Sequence, residues 1–294
     1  MKARHGTPAV DPAAAWNRFW FRPATAGRLA TVRFAAGLLG LLLLRTWSDD
    51  LVTWFGDEGM VPPDVLAVWR AGPALAVLDP VSGRVGLSVV LLVGCLLFGC
   101  LAAGALTAVT APLAALFHAA LLHRGPMLAG PADDVLAAIL WCLVVGRSGD
   151  ALSVDRLRAA RSGGSPGPSW RNRVAEGLLR VHASALAAAA FVSQIKADVW
   201  WNGTAARHLA EREASRPGLA GAFAASEYLT NLVTHSIPCF EIAFALAVWP
   251  AATRRAAARA GMVGWPLVGL LAGEPAWGAA MGILALACLP GDDD

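Results

Sequence analysis

The sequence predicts an all-α fold: a polytopic integral membrane helical bundle of about eight transmembrane helices, with both termini cytoplasmic. Three observations carry this. Only 15% of the 294 residues are charged and 56% are hydrophobic, whereas a soluble domain carries about 25% charged residues. The apolar residues fall in long blocks, several close to the roughly 20 residues that cross a hydrocarbon core. The basic residues gather in alternating loops, the asymmetry that orients membrane proteins. The net charge is only +3, so these clusters point to topology and anionic lipid and away from nucleic acid.

Residues 1–27 combine Lys2, Arg4, Arg18 and Arg22 with Trp16, Phe19, Trp20 and Phe21, which predicts a short interfacial helix on the cytoplasmic leaflet. They hold no apolar core with a small-residue cleavage site, so no signal peptide is expected. The transmembrane domain is expected over 28–291, followed by the acidic tail 292–294. Its first span is Leu29–Trp47, with Arg33 one turn in and Arg45 at the far end. An acidic loop follows over Ser48–Arg84, with Asp57 and Glu58 in the Gly- and Pro-rich centre WFGDEGMVPP. Spans two (Val85–Ala105) and three (Leu106–Leu122) form a tight hairpin about Gly104. The turn HRGPMLAGPADD (123–134) leads to a short fourth span, Asp134–Val145.

Residues 146–173 are basic and rich in Gly, Ser and Pro, and read as a mobile cytoplasmic linker. Span five is Val174–Ile195, with Glu176 and Arg180 spaced as an i,i+4 pair. An amphipathic helix is expected over Thr204–Ala214, then span six over Ser226–Trp249. Past the basic 253–259 loop, two short apolar runs, Ala260–Ala272 and Trp277–Leu289, either span or form a re-entrant pair. Eight spans put every basic cluster on the cytoplasmic side of an inner (plasma) membrane. The same arrangement brings Asp57, Glu58, His123, Arg124, Asp133, Asp134, Lys196 and Asp198 to the outer ends of spans.

The chain has two lysines, Lys2 and Lys196, among its 24 basic residues. Lys196 closes a long apolar run in FVSQIKADVWWNGTA (191–205). A desolvated lysine can lose its proton and an arginine effectively cannot. Lys196 is therefore either a snorkelling charge at a helix end or a titrating amine. Span six carries Glu227, Asn231, Thr234 and Glu241 at helical spacing, a stripe expected to face the bundle interior. Glu241 lies deep and needs a partner, with Arg33 one candidate. His235 is either a satisfied core histidine or a proton carrier. Asp133 and Asp134 either cap span four or belong to a site. His123 and Arg124 are an interfacial anchor or ligand-binding groups. Trp200 and Trp201 suit an aromatic belt or a substrate wall. The five cysteines sit in apolar runs without metal-ligand spacing. No nucleotide loop or metal motif is present.

Four stretches resemble the horizontally transferred transmembrane (HTTM) domain, the membrane part of vitamin K-dependent gamma-carboxylase. They are VRFAAGLLGLLLLRTWSDDLVTWFGDEGMVPP (32–63), LLHRGPMLAGPADDVLAAILWCLVVGRSGDALSVD (121–155), SQIKADVWWNGTA (193–205) and THSIPCFEIAFAL (234–246). In the carboxylases a lysine five residues before a tryptophan is the base that activates vitamin K hydroquinone. Here Lys196 stands five before Trp201. The resemblance thus implies Lys196 as catalytic base, with His235 and Asp133 beside it. Asp57, His123, Arg124, Asp134, Asp198, Trp200, Trp201 and Glu241 are the candidate substrate-binding residues. It also implies a menaquinol- or vitamin K-like quinol and no metal or nucleotide, with a lipid quinone or small peptide as partner. The chain departs from the carboxylases in three ways. Asp133-Asp134 replaces their Asn-His pair, residues 260–290 contain no histidine, and their luminal domain has no counterpart in this sequence. The family also includes a membrane factor that matures a sporulation-delaying peptide toxin, so a peptide-maturation or non-catalytic scaffold role stands beside the enzymatic one. A small-solute transporter is a third reading, without a visible inverted repeat.

Overall fold

The computed structural model describes residues 11–56, 59–60, 76–211 and 217–291. Asp57 and Glu58, the first ten residues and the 292–294 tail therefore lie outside the described residues. Within them the chain is helical, with one isolated backbone bridge, Ala24 to Ser169. The helices are α1 (Pro12–Phe21), α2 (Gly27–Ser48), α3 (Leu51–Phe55), α4 (Arg84–Ala103), α5 (Thr107–Arg124), α6 (Pro131–Val145) and α7 (Val154–Arg161). They continue with α8 (Trp170–Gln194), α9 (Asp198–Trp201), α10 (Ala205–Ala210), α11 (Pro217–Ala225), α12 (Glu227–Ala247), α13 (Ala251–Ala272) and α14 (Pro275–Ala287).

Among the described residues, α2, α4, α8 and α12 are long and apolar enough to cross a membrane by length and composition. Their outer faces agree with this. Phe34, Leu38 and Leu42 stand exposed down one side of α2, as do Val85, Val89, Leu92 and Leu96 on α4. A helix that turns an apolar stripe outward as well as inward is suited to lipid. α6 has a different role. Leu136, Ile139, Leu140 and Leu143 are at most 1% exposed, and the helix packs against α2, α5, α8 and α14. Its 15 residues rise about 22 Å, short of a full crossing. Neighbours on several sides make a longer apolar run unnecessary.

Some boundaries differ from expectation. α13 begins at Ala251 and absorbs the basic 253–259 stretch, because arginine and alanine are strong helix formers. It then folds back on α14 so closely that a Cβ on Gly269 would lie 2.6 Å from the Cα of Gly278. Of the expected helix over Thr204–Ala214, Ala205–Ala210 is helical and 212–214 lie outside the described residues; α11 was not anticipated.

The 146–173 stretch is not a bare linker, because α7 is tied to the bundle. Asp155 accepts hydrogen bonds from the backbone N–H of Leu106 (2.8 Å) and Thr107 (2.7 Å) and from the Thr107 hydroxyl (2.9 Å). Asn172, fully buried, accepts from the Arg147 N–H and donates to the Ala24 carbonyl. Partial burial of Asp155 raises its pKa, but the Thr107 and Leu106 bonds outweigh it and hold the carboxyl below its ordinary value. A carboxylate depressed in the folded state adds stability above its unfolded pKa. That stability is lost as pH falls through the folded pKa. Asp155→Asn is expected to lower stability by roughly 1 kcal/mol at neutral pH, after allowance for screening. Melting curves of the two proteins should converge as pH is taken from 7 toward 3. A gap that persists at acid pH counts against the charged role.

Arg33 is fully buried and sits near the start of α2. Its Nη1 donates to the carbonyls of Leu101 (2.7 Å) and Ala102 (3.1 Å), and its Nη2 donates to Leu152 (2.7 Å). One guanidinium thus closes the C-terminus of α4 and holds the segment before α7. Gly104 makes room for it. Its φ is +68°, and a Cβ there would lie 2.1 Å from Arg33 Nη1. Arg33 is therefore not the partner of Glu241, which the sequence left open. Nearby, Arg28 pairs with buried Glu176 at 3.0 Å and donates to the Leu289 carbonyl, joining α2, α8 and the end of α14.

Candidate functional site

Glu241 has no exposed surface, and its partner is Gln194, the last residue of α8. Gln194 Nε2 donates to Glu241 Oε1 at 2.8 Å. Among the described residues Glu241 Oε2 and Gln194 Oε1 have no hydrogen-bond partner. Two buried acceptors without donors are costly, so this is a place where a proton or a ligand donor would be bound.

The pair also marks a change of partner along α12. From Glu241 toward its C-terminus, α12 runs against α8: Ser184 donates to the Ala245 carbonyl, and Trp249 Nε1 to Ser184. Toward its N-terminus α12 lies against the segment after α8. Thr234, fully buried, donates to the Gly203 carbonyl (3.1 Å) and accepts from the Ala206 N–H (2.9 Å). Thr230 donates to the Phe223 carbonyl at 2.9 Å. Glu227 and Glu241 are 14 residues apart on α12, about 21 Å. The Lys196 segment therefore continues alongside the N-terminal half of α12 and does not lie beyond its end. Its backbone is satisfied by tight turns, with Ala197 N–H donating to Gln194, Asn202 to Asp198 and Thr204 to Val199. Gly203 is required here: φ is +72°, and a Cβ would fall 1.8 Å from Asn231 Oδ1.

Lys196 itself is exposed, two residues past Gln194. Asp198 opens α9 and is exposed. Trp200 is half-buried. Trp201 is 69% exposed, with Nε1 donating to the Ile195 carbonyl at 2.8 Å. His235 is exposed on α12, its Nδ1 2.8 Å from the Asn231 carbonyl. Of the expected polar stripe, Thr234 and Glu241 face inward, while Glu227 and Asn231 are exposed. The buried line is Thr230, Thr234, Ile237, Glu241 and Phe244.

The other predicted residues gather at α5 and α6. Asp133 is buried; its Oδ2 accepts from the Gly130 N–H at 2.9 Å and caps α6. His118, 3% exposed, lies against it, with Nε2 3.0 Å from the Asp133 carbonyl and 4.0 Å from Oδ1. Asp134 is exposed. Arg124, buried, donates to the carbonyls of Phe55 (2.8 Å), Val81 (2.5 Å) and Leu78, with its guanidinium 5.6 Å from the Phe55 ring centroid. It anchors the ends of the α3–α4 connection to the bundle. His123 is half-buried, and its Nε2 has no hydrogen-bond partner among the described residues. Among the described residues no group of three or more His, Cys, Asp and Glu converges as metal ligands would.

Sequence reasoning passed over Gln194 and His118. Gln194 is a neutral amide beside a conspicuous lysine. His118 is an ionisable side chain inside an apolar run, and that position was the signal that could have found it.

No family model matches the chain, and no curated protein or solved structure matches it.

Proposed function

We propose that the chain is an HTTM-like membrane protein performing base-assisted chemistry on a lipid quinol or small peptide at the outer membrane face. Lys196 would be the base. The observation that carries this is the course of the Lys196 segment alongside α12, between the Gln194–Glu241 pair and the Gly203 and Ala206 bonds to Thr234. If α12 spans the bilayer, exposed Lys196 lies beside a membrane-crossing helix. Intramembrane lysines in such places mark substrate paths.

The residues fit a quinol's chemistry. A quinol presents two hydroxyl donors and a flat ring, and when bound it supplies reducing equivalents and an oxygen nucleophile. Lys196 would be the residue that accepts a hydroxyl proton from the bound group. Trp200 and Trp201 would bound the ring, and the buried acceptors of Glu241 and Gln194 suit a hydroxyl donor. His118 beside Asp133 is a second ionisable pair in the bundle. The eight-span reading with a cytoplasmic basic face belongs to the same proposal.

The exposure of Lys196 favours a second reading, a non-catalytic scaffold or peptide-maturation partner. Lys196→Arg separates the two. It keeps the charge and removes titration. Loss of complementation in a deletion strain, with normal protein level and normal retention of menaquinone by mass spectrometry, is the expected result. Full activity of Lys196→Arg means that Lys196 is not a base and favours the scaffold.

A further inference from the structure

The start of α5, the end of α6 and the first turn of α8 enclose a pocket of about 440 Å3. Its floor is apolar, with Ala108, Ala111 and Pro112 on α5 facing Leu143 and Val144 on α6. Its mouth is charged, with Arg147, Asp150 and Arg171. The turn Ser148–Asp150 lies directly on α5: a Cβ on Gly149 would fall 1.9 Å from Thr107 Oγ1. Arg171 is exposed and reaches back to the end of α6. Its Nε donates to the Val145 carbonyl at 2.8 Å and its Nη2 to the Val144 carbonyl at 3.5 Å. Asp150 is half-buried. Its Oδ2 lies 3.0 Å from Arg147 Nε, yet accepts no hydrogen bond among the described residues. That contact supplies charge without a directed proton. Burial pushes the Asp150 carboxyl above its ordinary pKa, against the pull of Arg147 and Arg156. The start of α5 does not relieve it, because the N–H groups of Leu106 and Thr107 are taken by Asp155. A ligand that suits this mouth brings acceptor oxygens for a guanidinium and N–H donors for a carboxylate.

We infer that this pocket holds a zwitterionic phospholipid with a primary ammonium, the phosphatidylethanolamine class. Its phosphate meets Arg171, its ammonium meets Asp150, and an acyl chain covers the floor at Ala108, Ala111 and Pro112. A guanidinium matches phosphate oxygens, and an ammonium has three N–H donors for a carboxylate. A choline headgroup has methyl groups where Asp150 asks for N–H. A glycerol headgroup leaves the lipid anionic beside that carboxylate. The level in the bilayer agrees. α4 and α8 are both long and apolar enough to cross, and the pocket lies where α4 passes into α5 and α8 begins. Exposed Trp170, beside Arg171, suits the headgroup level. The site rests on α4 and α8 crossing a bilayer and not on the Lys196 chemistry, so Lys196→Arg should leave it unchanged.

The test uses the full-length, delipidated protein in non-ionic detergent. Native mass spectrometry compares dioleoyl lipids that share acyl chains and differ in headgroup: ethanolamine, choline and glycerol. Retention of the ethanolamine lipid about tenfold above the choline lipid is expected, the worth of one charged hydrogen bond. Asp150→Asn should bring the two level. That ratio is read within one protein, so a general loss of stability does not move it. Arg171→Gln should lower retention of both by about fivefold. Ala108→Trp fills the pocket from an exposed position and should abolish the preference. Val109→Trp, exposed beside it and outside the lining, should keep it. Equal retention of the ethanolamine and choline lipids by the wild type overturns the inference. A preference for the glycerol lipid does so too, because the site would then be an anionic one. So does a preference that survives Asp150→Asn or Ala108→Trp. Displacement of the lipid by millimolar glycerophosphoethanolamine also overturns it, because the pocket would then take the free headgroup.

Discussion

The Gln194→Leu/Glu241→Leu double variant is expected to melt within about 1 kcal/mol of the wild type, or above it, and, on the proposed quinol reading, to lose menaquinone retention at least about tenfold. Stability and binding part here because the pair is only half satisfied. Removing Gln194 alone leaves a buried carboxyl with no donor, which costs about 1–3 kcal/mol. Removing Glu241 alone strands an amide that is only partly buried, at a smaller cost near the average of about 0.6 kcal/mol for hydrogen bonds within membranes. Removing both replaces two unsatisfied polar groups with apolar ones of similar size. A double variant that melts well below both single variants would make the pair a structural brace. One that keeps its quinone would remove Glu241 and Gln194 from the site.

Arg33→Met is expected to destabilise the bundle by about 3–5 kcal/mol, although methionine fills similar space. The loss lies in three carbonyls that share one donor group: Leu101, Ala102 and Leu152. Without it, the Ala102 and Leu152 carbonyls lose this donor and Leu101 keeps only the Gly104 N–H. Arg33→Lys should fall between, because an ammonium cannot fork toward both α4 and the segment before α7. Gly104→Ala should resemble Arg33→Met, since the added carbon takes the guanidinium's place. Size-exclusion profiles and thermal melts of detergent-solubilised protein check this series. A melting shift for Arg33→Met of under about 1 kcal/mol would show that the carbonyls find other donors.

Much of the architecture was legible in the sequence because it rests on local properties. α2, α4, α8 and α12 announce themselves as apolar blocks, and the α4–α5 hairpin by Gly104. What was not legible depends on distant partners. Hydropathy ends at the arginines before Ala260, but helix propensity does not, so α13 extends back to Ala251. The 146–173 stretch has a linker's composition, and nothing local reveals that Asp155 reaches across to Thr107. In the site, the burial of Glu241 followed from helical spacing. Its partner did not, because the i to i+4 rule says nothing about which neighbouring helix ends at that level. By residue type Arg124 and Asp133 suited an anchor and a helix cap as well as ligand groups. They hold a loop and cap a helix, work that any buried carbonyl or N-terminus asks of a nearby side chain.

The Arg33 clasp has a consequence for how the chain is made. Its acceptors are synthesised 68, 69 and 119 residues after the arginine. At about 5–20 residues per second, the last arrives roughly 6–24 s later. A lone arginine within a helix resists insertion by about 2.5–3.5 kcal/mol at the bilayer centre, and less near an end, where it reaches for the interface. The first long helix made is thus among the last to settle. A ribosome that stalls before residue 101 leaves the guanidinium without any of the three carbonyls, and one that stalls between residues 102 and 152 leaves it short of the Leu152 carbonyl alone.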